Sequence, residues 1–418
     1  MQQQEHFRNR AVILLLAFIF FTCLFPIMPA HPYDSYCWQQ WSKNIFHNGL
    51  SHAYISDTNY LPLYQYFLWA FGRLAGSEQG IMKWTAFLRC FTLLFDFWSL
   101  WMVWKWSNRK VDFLVLLTCC LLNIAFVYNT VVWGQVDAIG AALVFAGLYA
   151  AYRQKLLVSG MLMVLAVNMK LQMIVFFPVW GLLTLHALPA GNRLRKVMGI
   201  MGVMALAQCL LIVPFATAGI AGVKPIWNVL RNASGYFPEL SMNAYNLWYW
   251  VARNPRNVSD ALKPFPGMSY KMIGLSLFLV SSFFALLPIL RKVVNQLRGK
   301  ASLISKEEVW ITSALVGLLF FFCNTEMHER YSHPAFIFII AYSFYRRRYI
   351  PLVLFSVAYF INLERVLHGH KMVGTTTFLF DPRLAAGIYL VLIVYLFVRL
   401  YQDTGMVKTQ DKALPPTD

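Results

Sequence analysis

Long apolar runs separated by short basic or polar breaks recur along the whole chain. A helix needs about 20 apolar residues to cross the hydrocarbon core of a bilayer, and most of these runs approach that length. Lysine and arginine at the ends of alternate runs mark the cytoplasmic side, where these residues are enriched. The pattern predicts about twelve transmembrane helices, at residues 11–30, 87–106, 111–129, 137–152, 156–169, 171–188, 197–216, 270–290, 310–324, 334–345, 349–367 and 384–400.

Two long stretches, residues 31–86 and 217–269, contain no such run, and the predicted topology places both on the extracytoplasmic side. They include amphipathic pieces, such as residues 61–74, that we expect to lie as helices along the membrane surface. Arg8 and Arg10 precede the first run, so the N-terminus is predicted to be cytoplasmic. About twelve spans, an even number, then return the C-terminus to the same side. The predicted fold class is an all-α polytopic membrane protein.

Composition agrees with a membrane protein and excludes a soluble one. Of the 418 residues, 59% are hydrophobic and 13% are charged, whereas about 25% are charged in an average soluble domain. The formal net charge of +18 would indicate nucleic-acid binding in a soluble protein. Here we attribute it to membrane topology, and no nucleic-acid partner is predicted. The seven cysteines show no disulfide framework.

Residues that can carry chemistry are concentrated on the predicted outer side. The stretch HPYDSYCWQQW, residues 31–41, places Asp34 just beyond the first span, among tyrosines and tryptophans. An acid at the membrane edge is costly and is a functional candidate by default. The alternative explanation is an aromatic belt at the interface that contains an incidental acid.

Four further polar clusters lie at the outer ends of predicted spans. Lys170 falls between two short predicted helices, and a broken helix at membrane depth is tolerated only against protein or a water-filled cavity. Simpler explanations are a lysine that snorkels to the interface, aromatic anchors, a structural network or a solvated loop. The clusters are WGQVDA at residues 133–138, NMKLQ at 168–172, SMNAYNLW at 241–248 and TEMHERY at 325–331.

Together with DSYCWQQW and with NYLPLYQY at residues 59–66, these motifs follow one another in an order that resembles the GT-C glycosyltransferases. The nearest resemblance is to the bacterial branch related to the second mannosyltransferase of GPI-anchor synthesis, and it covers about residues 10–340. The endoplasmic-reticulum glucosyltransferases that extend lipid-linked oligosaccharides are similar too. The resemblance implies a GT-C fold, with a catalytic transmembrane module over residues 1–345. C-terminal transmembrane helices and a short cytoplasmic tail follow over residues 346–418, within one integrated membrane domain.

GT-C enzymes take a sugar from a polyprenyl-phosphate carrier and pass it, with inversion at the anomeric carbon, to an acceptor on the extracytoplasmic side. The resemblance therefore implies an integral-membrane hexosyltransferase, and mannose is the sugar of the nearest branch. The implied partners are the lipid-linked sugar donor, membrane lipids, and an acceptor that is a lipid, a glycan or a protein. Short tails and brief inner loops favour a bacterial plasma membrane over the endoplasmic reticulum.

The resemblance also implies roles for individual residues. Asp34, the acid of the first outer segment, is the implied general base that accepts the proton of the acceptor hydroxyl. The leaving phosphate needs positive charge or hydrogen-bond donors. The residues expected to bind the donor phosphate and sugar are Lys170, His328, Glu329, Arg330 and Arg365. Those expected to contact the acceptor or shape the site are Asp57, Tyr60, Gln135, Asp137, Gln172, Asn243, Asn246 and Trp248.

Two departures from the family pattern are visible. Some GT-C members hold a divalent metal with an Asp-x-Asp pair in the first outer segment, whereas here Ser35 and Tyr36 follow Asp34. No metal and no other cofactor is therefore predicted, although Asp57 is available as a second carboxylate. The family's Y-P-P-L sequence reads YLPL at residues 60–63.

Two other functions stay open at this point. A ligase or polymerase of lipid-linked glycans uses the same carrier and usually has an arginine-rich outer loop, and residues 217–269 contain Arg231, Arg253 and Arg256. A transporter also has broken helices and outward-facing polar residues, but it more often has an internal repeat, and we find none. The sequence does not indicate the sugar, the acceptor, the host, the oligomeric state or the role of a polar cluster at residues 365–371.

Overall fold

The structure is a computed structural model that describes residues 2–28, 30–188, 190–233, 235–370 and 377–406. Within these residues the regular elements are helices, accompanied by isolated β-bridges. The first nine α-helices are α1 (Gln2–Leu24), α2 (Pro32–Asn48), α3 (Pro62–Ala75), α4 (Glu78–Trp84), α5 (Arg89–Trp106), α6 (Phe113–Leu121), α7 (Ile124–Val127), α8 (Asp137–Tyr152) and α9 (Leu156–Met169). The following ones are α10 (Phe177–Ala187), α11 (Arg193–Ala216), α12 (Ile220–Asn232), α13 (Trp248–Val251), α14 (Tyr270–Leu297), α15 (Lys306–Cys323), α16 (His333–Arg346), α17 (Ile350–Leu367) and α18 (Pro382–Asp403).

Five helical segments of the described chain are long and apolar enough to cross a membrane. A sixth candidate is a pair of segments, Phe113–Leu121 and Ile124–Trp133, which are bent by 72° at their junction. The five are Glu78–Trp106, Arg193–Ala216, Tyr270–Leu297, Ile350–Leu367 and Pro382–Asp403. Four shorter apolar helices accompany them, Asn9–Leu24, Asp137–Tyr152, Leu156–Met169 and Leu171–Ala187.

Helix α11 exposes a large apolar surface, which indicates that the protein lies in a membrane. Only 6% of its apolar window is buried within the protein, and Met198 and Leu210 are 64% and 62% exposed. An apolar surface of this kind on a long helix is typical of a membrane environment, where backbone groups are satisfied within the helix. The protein is therefore an all-helical membrane protein, as the sequence predicts. The number of twelve spans stays a prediction.

Two predicted spans end or break earlier than the apolar pattern indicates. The first, residues 11–30, stops at Leu24 and continues as a turn. Pro26 lacks a backbone N–H and disfavours helical geometry in the residue before it, so the helix cannot pass it unchanged. The predicted span 111–129 breaks between α6 and α7, where Asn123 accepts from the backbone N–H of Phe126 at 3.4 Å.

The predicted helix break at Lys170 is confirmed. Helix α9 ends at Met169, and Lys170 has extended backbone angles of φ −157° and ψ 125°. A 3₁₀ turn over Leu171–Phe176 then leads into α10. Helix α3 likewise covers the amphipathic piece predicted at residues 61–74.

The buried centre of the bundle is formed by α8, α15 and α16. Helix α8 is rich in alanine and glycine, which lets its neighbours approach closely. A Cβ on Gly147 would lie 2.9 Å from the Met163 sulfur of α9, and the Gly147 carbonyl accepts from Ser159 Oγ at 2.7 Å. The main buried core extends from Trp38 to Leu400, so residues before and after position 345 pack together.

Connecting segments meet at the two ends of this bundle. At one end, Asp137 begins α8 and lies 2.5 Å from Lys170, which follows α9. At the other end of α8, the Tyr152 ring packs against Trp106 at a centroid distance of 5.7 Å. Lys306 Nζ donates to the Trp106 carbonyl there at 3.1 Å. The segments after α1, α7, α9 and α15 thus share the Asp137 end, which the sequence predicts to be extracytoplasmic.

Because these segments share the Asp137 end of the bundle, residues far apart in the sequence should be accessible from the same side of the membrane. Asn59→Cys and Lys263→Cys introduce thiols at exposed positions of the two long segments that reach the Asp137 end, and Lys300→Cys introduces one at the other end. In sealed membranes of a Cys37→Ser background, an impermeant maleimide should label the first two variants from one side and Lys300→Cys only from the other. Labelling of Asn59→Cys and Lys263→Cys from opposite sides would contradict the arrangement.

Candidate active site

Asp34 lies in the first turn of α2, at the end of the bundle that contains Asp137. His31 is the N-cap of this helix, and its Nδ1 accepts from the backbone N–H of Asp34 at 3.4 Å. Pro32 occupies the first turn, where its fixed φ suits a helix start. The positive end of the helix dipole stabilises an acid at this place. The Asp34 side chain is 20% exposed, so protein contacts hold it while it stays reachable.

The hydrogen bonds to the Asp34 carboxylate converge on one of its two oxygens. The indole Nε1 of Trp133 donates to Oδ2 at 3.0 Å, and the amide Nε2 of Gln135 donates to the same atom at 2.5 Å. The Tyr60 hydroxyl donates to Gln135 Oε1 at 3.3 Å, which orients that amide. Oδ1 has no hydrogen-bond partner in the described part of the chain. The carboxylate is therefore held through Oδ2 and presents Oδ1.

The segment that carries these donors has an irregular backbone. Residues Tyr128–Trp133 form a wide π-helical turn, and Gly134 ends it with a φ of 83°. A side chain at Gly134 would be strained by the positive φ and would meet Ala30 Cβ at 2.8 Å. The N–H of Gln135 turns back to the Asn129 carbonyl at 2.8 Å. Such π-helical turns are frequent at functional sites.

Arg89, the first residue of α5, joins this segment to the chain that leads to Asp34. Its Nη1 donates to the Val131 carbonyl at 2.6 Å, and its Nη2 donates to the Met28 carbonyl at 2.8 Å. The residue is 4% exposed, and its guanidinium lies 5.2 Å from the Phe25 ring centre. Because one planar fork holds both backbones, Arg89 sets the spacing between the donors and the carboxylate.

Three segments bring buried charges together around Asp137, beside the Asp34 carboxylate. Lys170 Nζ lies 2.5 Å from Asp137 Oδ1, and Arg330 Nε lies 3.7 Å from Oδ2. Asn129 Nδ2 donates to Oδ2 at 3.4 Å. The Asp137 side chain is completely buried, and a buried charge is tolerated only when it is paired. These pairs therefore hold the segments after α7, α9 and α15 against one another.

Glu329 is a second buried carboxylate of this cluster. Arg330 Nη1 donates to Glu329 Oε1 at 2.5 Å, and His328 Nδ1 lies 3.8 Å from Oε2. Burial by itself raises the pKa of the Glu329 carboxyl, but Arg330 and then His328 outweigh burial and lower the pKa to about 2. Burial also lowers the pKa of His328, which leaves its imidazole neutral at pH 7.

The cluster as a whole carries more negative than positive charge. Asp34, Asp137 and Glu329 contribute three carboxylates, whereas Lys170 and Arg330 contribute two cations. With the histidines counted as neutral, one negative charge is left over. Asp34 is the carboxylate held by uncharged amide and indole donors, so the excess negative charge is centred on it.

Asn246 and Trp248 use their polar groups to hold the end of α15, and their role in shaping the site stays a prediction. The Asn246 side-chain amide donates to the Phe321 carbonyl at 3.0 Å. The indole N–H of Trp248 donates to the Asn324 carbonyl at 3.0 Å. Both residues thereby support the segment after α15, which carries the Glu329–Arg330 pair.

Four other predicted site residues make no hydrogen bond or ion pair with the Asp34, Asp137 or Glu329 side chains in the described part of the chain. Asp57 is exposed at a φ of 54° and makes no hydrogen bond or ion pair within the described residues. Arg365 is exposed on α17 and interacts with Tyr245. Asn243 pairs through its backbone with the segment after α15. Both polar atoms of the Gln172 amide are buried without a hydrogen-bond partner in the described chain.

The polar cluster predicted at residues 365–371 is only partly described. His368 and His370 are exposed, and His370 donates its backbone N–H to the Glu364 carboxylate at 3.0 Å. Lys371 lies outside the described residues. The described members of this 365–371 group therefore lie at the end of α17 and just after it. They make no contact with Asp34.

Sequence analysis did not single out Arg89, Asn129 or His31, although all three help to build the site. Arg89 had a recognisable signal, because it is a lone charge near the edge of a predicted span. Asn129 and His31 had no such signal. Asn129 reaches Asp137 through an irregular turn, and the backbone N–H of His31 donates to the carbonyl of Trp133, which is distant in the sequence.

No group of three or more His, Cys, Asp and Glu side chains in the described residues is arranged to hold a metal ion. The carboxylates of the cluster are instead engaged by lysine, arginine, amide or indole donors. Independence from metal stays a prediction.

No protein-family model matches the chain, and no curated protein matches its sequence. The relation to GT-C enzymes accordingly stays a hypothesis based on the motifs.

Replacing Arg89 should destabilise the site more than replacing an exposed arginine. Arg89→Met leaves the buried Val131 carbonyl and the partly buried Met28 carbonyl without this donor, at a cost of about 1–3 kcal/mol for the buried one. We expect faster hydrogen–deuterium exchange in peptides that cover residues 30–36 and 128–136, together with a lower melting temperature. Arg73→Met is the matched control, because Arg73 is exposed on α3. Equal exchange in the two variants would show that the fork does not set the spacing.

Proposed function

We propose that this protein is an integral-membrane, inverting hexosyltransferase of the GT-C type. It would move a hexose, with mannose as the first candidate, from a polyprenyl-phosphate donor to an acceptor hydroxyl on the extracytoplasmic face. The twelve-span topology with cytoplasmic termini and the bacterial plasma membrane are parts of the same proposal. Its main support is the Asp34 carboxylate, which is held through one oxygen and presents the other beside a buried charged cluster.

The geometry of Asp34 suits a general base. In the proposed step the acceptor oxygen attacks the anomeric carbon and gives its proton to Asp34 Oδ1. The bond between that carbon and the carrier phosphate breaks, and the phosphate leaves on its polyprenyl chain. A base acts best when its position is held and a lone pair is free. Hydrogen bonds from Trp133 and Gln135 to Oδ2 meet the first condition, and the unpartnered Oδ1 meets the second.

The excess negative charge of the cluster also fits glycosyl transfer. Such reactions pass through a transition state in which positive charge develops at the anomeric carbon. Preorganised charges that face a developing charge can lower the barrier, and they are most effective where water is excluded. Asp34 would face this carbon on the acceptor side. Glu329 and Asp137 are engaged by Arg330 and Lys170, so we assign them to positioning these cations and sugar hydroxyls.

A ligase or polymerase of lipid-linked glycans is the second candidate. The observation that favours it is the presence of exposed arginines on the predicted outer segment 217–269, namely Arg231, Arg253 and Arg256, because such enzymes bind a diphosphate carrier. A transporter is the third candidate. The donor chemistry separates the three: a transferase releases polyprenyl monophosphate, a ligase or polymerase releases polyprenyl diphosphate, and a transporter releases neither.

The decisive variant is Asp34→Asn, which keeps the shape of the side chain and removes the base. We expect sugar release from short-chain polyprenyl-phosphate mannose or glucose, measured in nanodiscs with membrane lipid extract as acceptor, to fall at least about 100-fold. Activity of the unaltered protein should persist in EDTA, because no metal is predicted.

Asp112→Asn is the matched control for this experiment. Asp112 caps α6 by accepting from the Val115 N–H at 3.0 Å, and asparagine caps helices as well as aspartate does. Its activity should equal that of the unaltered protein. Full turnover in a folded Asp34→Asn protein would remove Asp34 from catalysis, and loss of turnover in EDTA would contradict the prediction of a metal-independent enzyme.

A further inference from the structure

Two further carboxyl groups are buried in membrane-spanning helices. Asp96 lies in the middle of α5 and is 3% exposed, and Glu364 lies near the end of α17 and is completely buried. Acidic side chains are rare in such helices because their burial is costly, so each of them needs an explanation. Both carboxyl groups accept a hydrogen bond from the same short stretch of chain, the π-helical turn Tyr128–Trp133.

Asp96 accepts its hydrogen bond from the middle of the turn. Thr130 Oγ1 donates to Asp96 Oδ2 at 2.6 Å, and Thr130 is completely buried. No lysine, arginine or histidine nitrogen of the described residues lies within 4.0 Å of the Asp96 carboxyl group. The Thr130 hydroxyl and the Asp96 carboxyl group therefore satisfy each other in a place that water does not reach.

Glu364 accepts its hydrogen bond from the start of the turn. Tyr128 Oη donates to Glu364 Oε2 at 2.6 Å, and the same hydroxyl accepts from the backbone N–H of Gly369 at 3.2 Å. Glu364 also accepts from the backbone N–H of His370 at 3.0 Å. Because Tyr128 is completely buried, this bond joins the turn to the end of α17 inside the protein.

Other residues of this stretch contact the site directly. Asn129 Nδ2 donates to Asp137 Oδ2 at 3.4 Å. Trp133 Nε1 donates to Asp34 Oδ2 at 3.0 Å. Gln135, whose side chain is the other donor to Asp34, returns its backbone N–H to the Asn129 carbonyl at 2.8 Å. A displacement of the turn would therefore move both donors of the Asp34 carboxylate.

The turn is held from outside at four consecutive positions. π-Helical turns are rare and occur mostly as single turns, so we expect contacts outside such a turn to maintain it. Each of residues 128–131 makes a hydrogen bond to a side chain of α17, α8 or α5. In the order of the turn, these side chains are Glu364, Asp137, Asp96 and Arg89. A rotation of the turn would break several of these bonds at once.

We propose that Asp96 and Glu364 are positioning residues for the reaction at Asp34. They hold the π-helical turn so that Trp133 and Gln135 engage one oxygen of the Asp34 carboxylate and leave the other for the acceptor proton. This inference rests on the proposed transferase function, in which Asp34 is the base. Neither carboxyl group touches substrate, and each acts through the geometry of the turn. A displacement of about 1 Å at a reacting group can lower a rate about 100-fold.

The test begins with the two members of one hydrogen bond. Asp96→Leu leaves the Thr130 hydroxyl without its acceptor, and Thr130→Val leaves the Asp96 carboxyl group without its donor. Each variant should lower kcat for sugar transfer about tenfold or more, while the KM for the lipid-linked donor stays within about twofold. Asp96→Asn keeps an oxygen that accepts from Thr130, so it should keep most of the activity. Thr312→Val is the matched control, because Thr312 is equally buried and donates to the Ala285 carbonyl at 3.3 Å.

The double variant Asp96→Leu/Thr130→Val separates positioning from packing. Each single variant leaves a buried polar group without a partner and should lower the melting temperature, whereas replacing both partners by apolar groups can be nearly neutral for stability. We expect the double variant to regain its melting temperature, but its kcat should stay about tenfold low because the turn has lost a contact. Recovery of both quantities together would show a purely structural pair and would overturn the inference. Full kcat in either single variant, or a higher KM alone, would overturn it too.

Tyr128→Phe tests the contact with Glu364, because it removes the hydroxyl and keeps the ring. Its kcat should also fall about tenfold with little change in KM. Tyr342→Phe is the matched control, since Tyr342 is almost completely buried and donates to Asp403 Oδ2 at 3.0 Å near the opposite end of α16 from His333. It should transfer sugar as the unaltered protein does. Equal loss of kcat in the two variants would overturn the assignment of Glu364.

Hydrogen–deuterium exchange gives a readout that does not depend on turnover. Asp96→Leu and Tyr128→Phe should speed exchange in peptides that cover residues 30–36 and 128–136, and the two control variants should not. Unchanged exchange in both peptides would overturn the inference. Faster exchange in these variants of a protein that transfers no sugar would reject the transferase, while Asp96 and Glu364 would stay the residues that position the Asp34 carboxylate.

Discussion

Asp137 and Glu329 are carboxylates buried at one end of an apolar helix bundle, where an unpaired charge would cost several kcal/mol. Lys170 and Arg330 neutralise them, but each cation comes from a different segment. The need to pair these charges therefore ties the segments after α7, α9 and α15 together. Close packing of small residues brings the apolar spans together, and the charge pairs add a specific contact at the end of the bundle where these segments meet.

The position of Asp34 follows from this paired centre through a second layer of contacts. The segment that carries Gln135 leads directly into Asp137, so anchoring Asp137 also anchors a donor to Asp34. A π-helical turn closed by Gly134 directs that segment toward α2, and the Arg89 fork joins it to the chain before Asp34. A carboxylate near the surface of the bundle thus acquires a defined orientation from groups that are themselves buried.

Electrostatics sets Asp34 apart from the other carboxylates at the Asp137 end of the bundle. Asp137 and Glu329 are paired with Lys170 and Arg330, whereas uncharged amide and indole groups donate to Asp34. In the proposed glycosyl transfer, the positive charge that develops at the anomeric carbon would meet this excess of negative charge.

The sequence by itself determined the helical membrane class, the break at Lys170 and the polar motifs, because apolar run length and the cost of charge in lipid are local properties. It did not determine that α1 stops at Leu24, or that Asn246 holds the end of α15. Which oxygen of Asp34 is engaged and which cations are already paired were decided by the tertiary structure alone. The two hydrogen bonds to Asp34 join residues about 100 positions apart, and the Arg330–Asp137 pair joins residues about 200 apart. Such contacts form only after packing has brought the segments together.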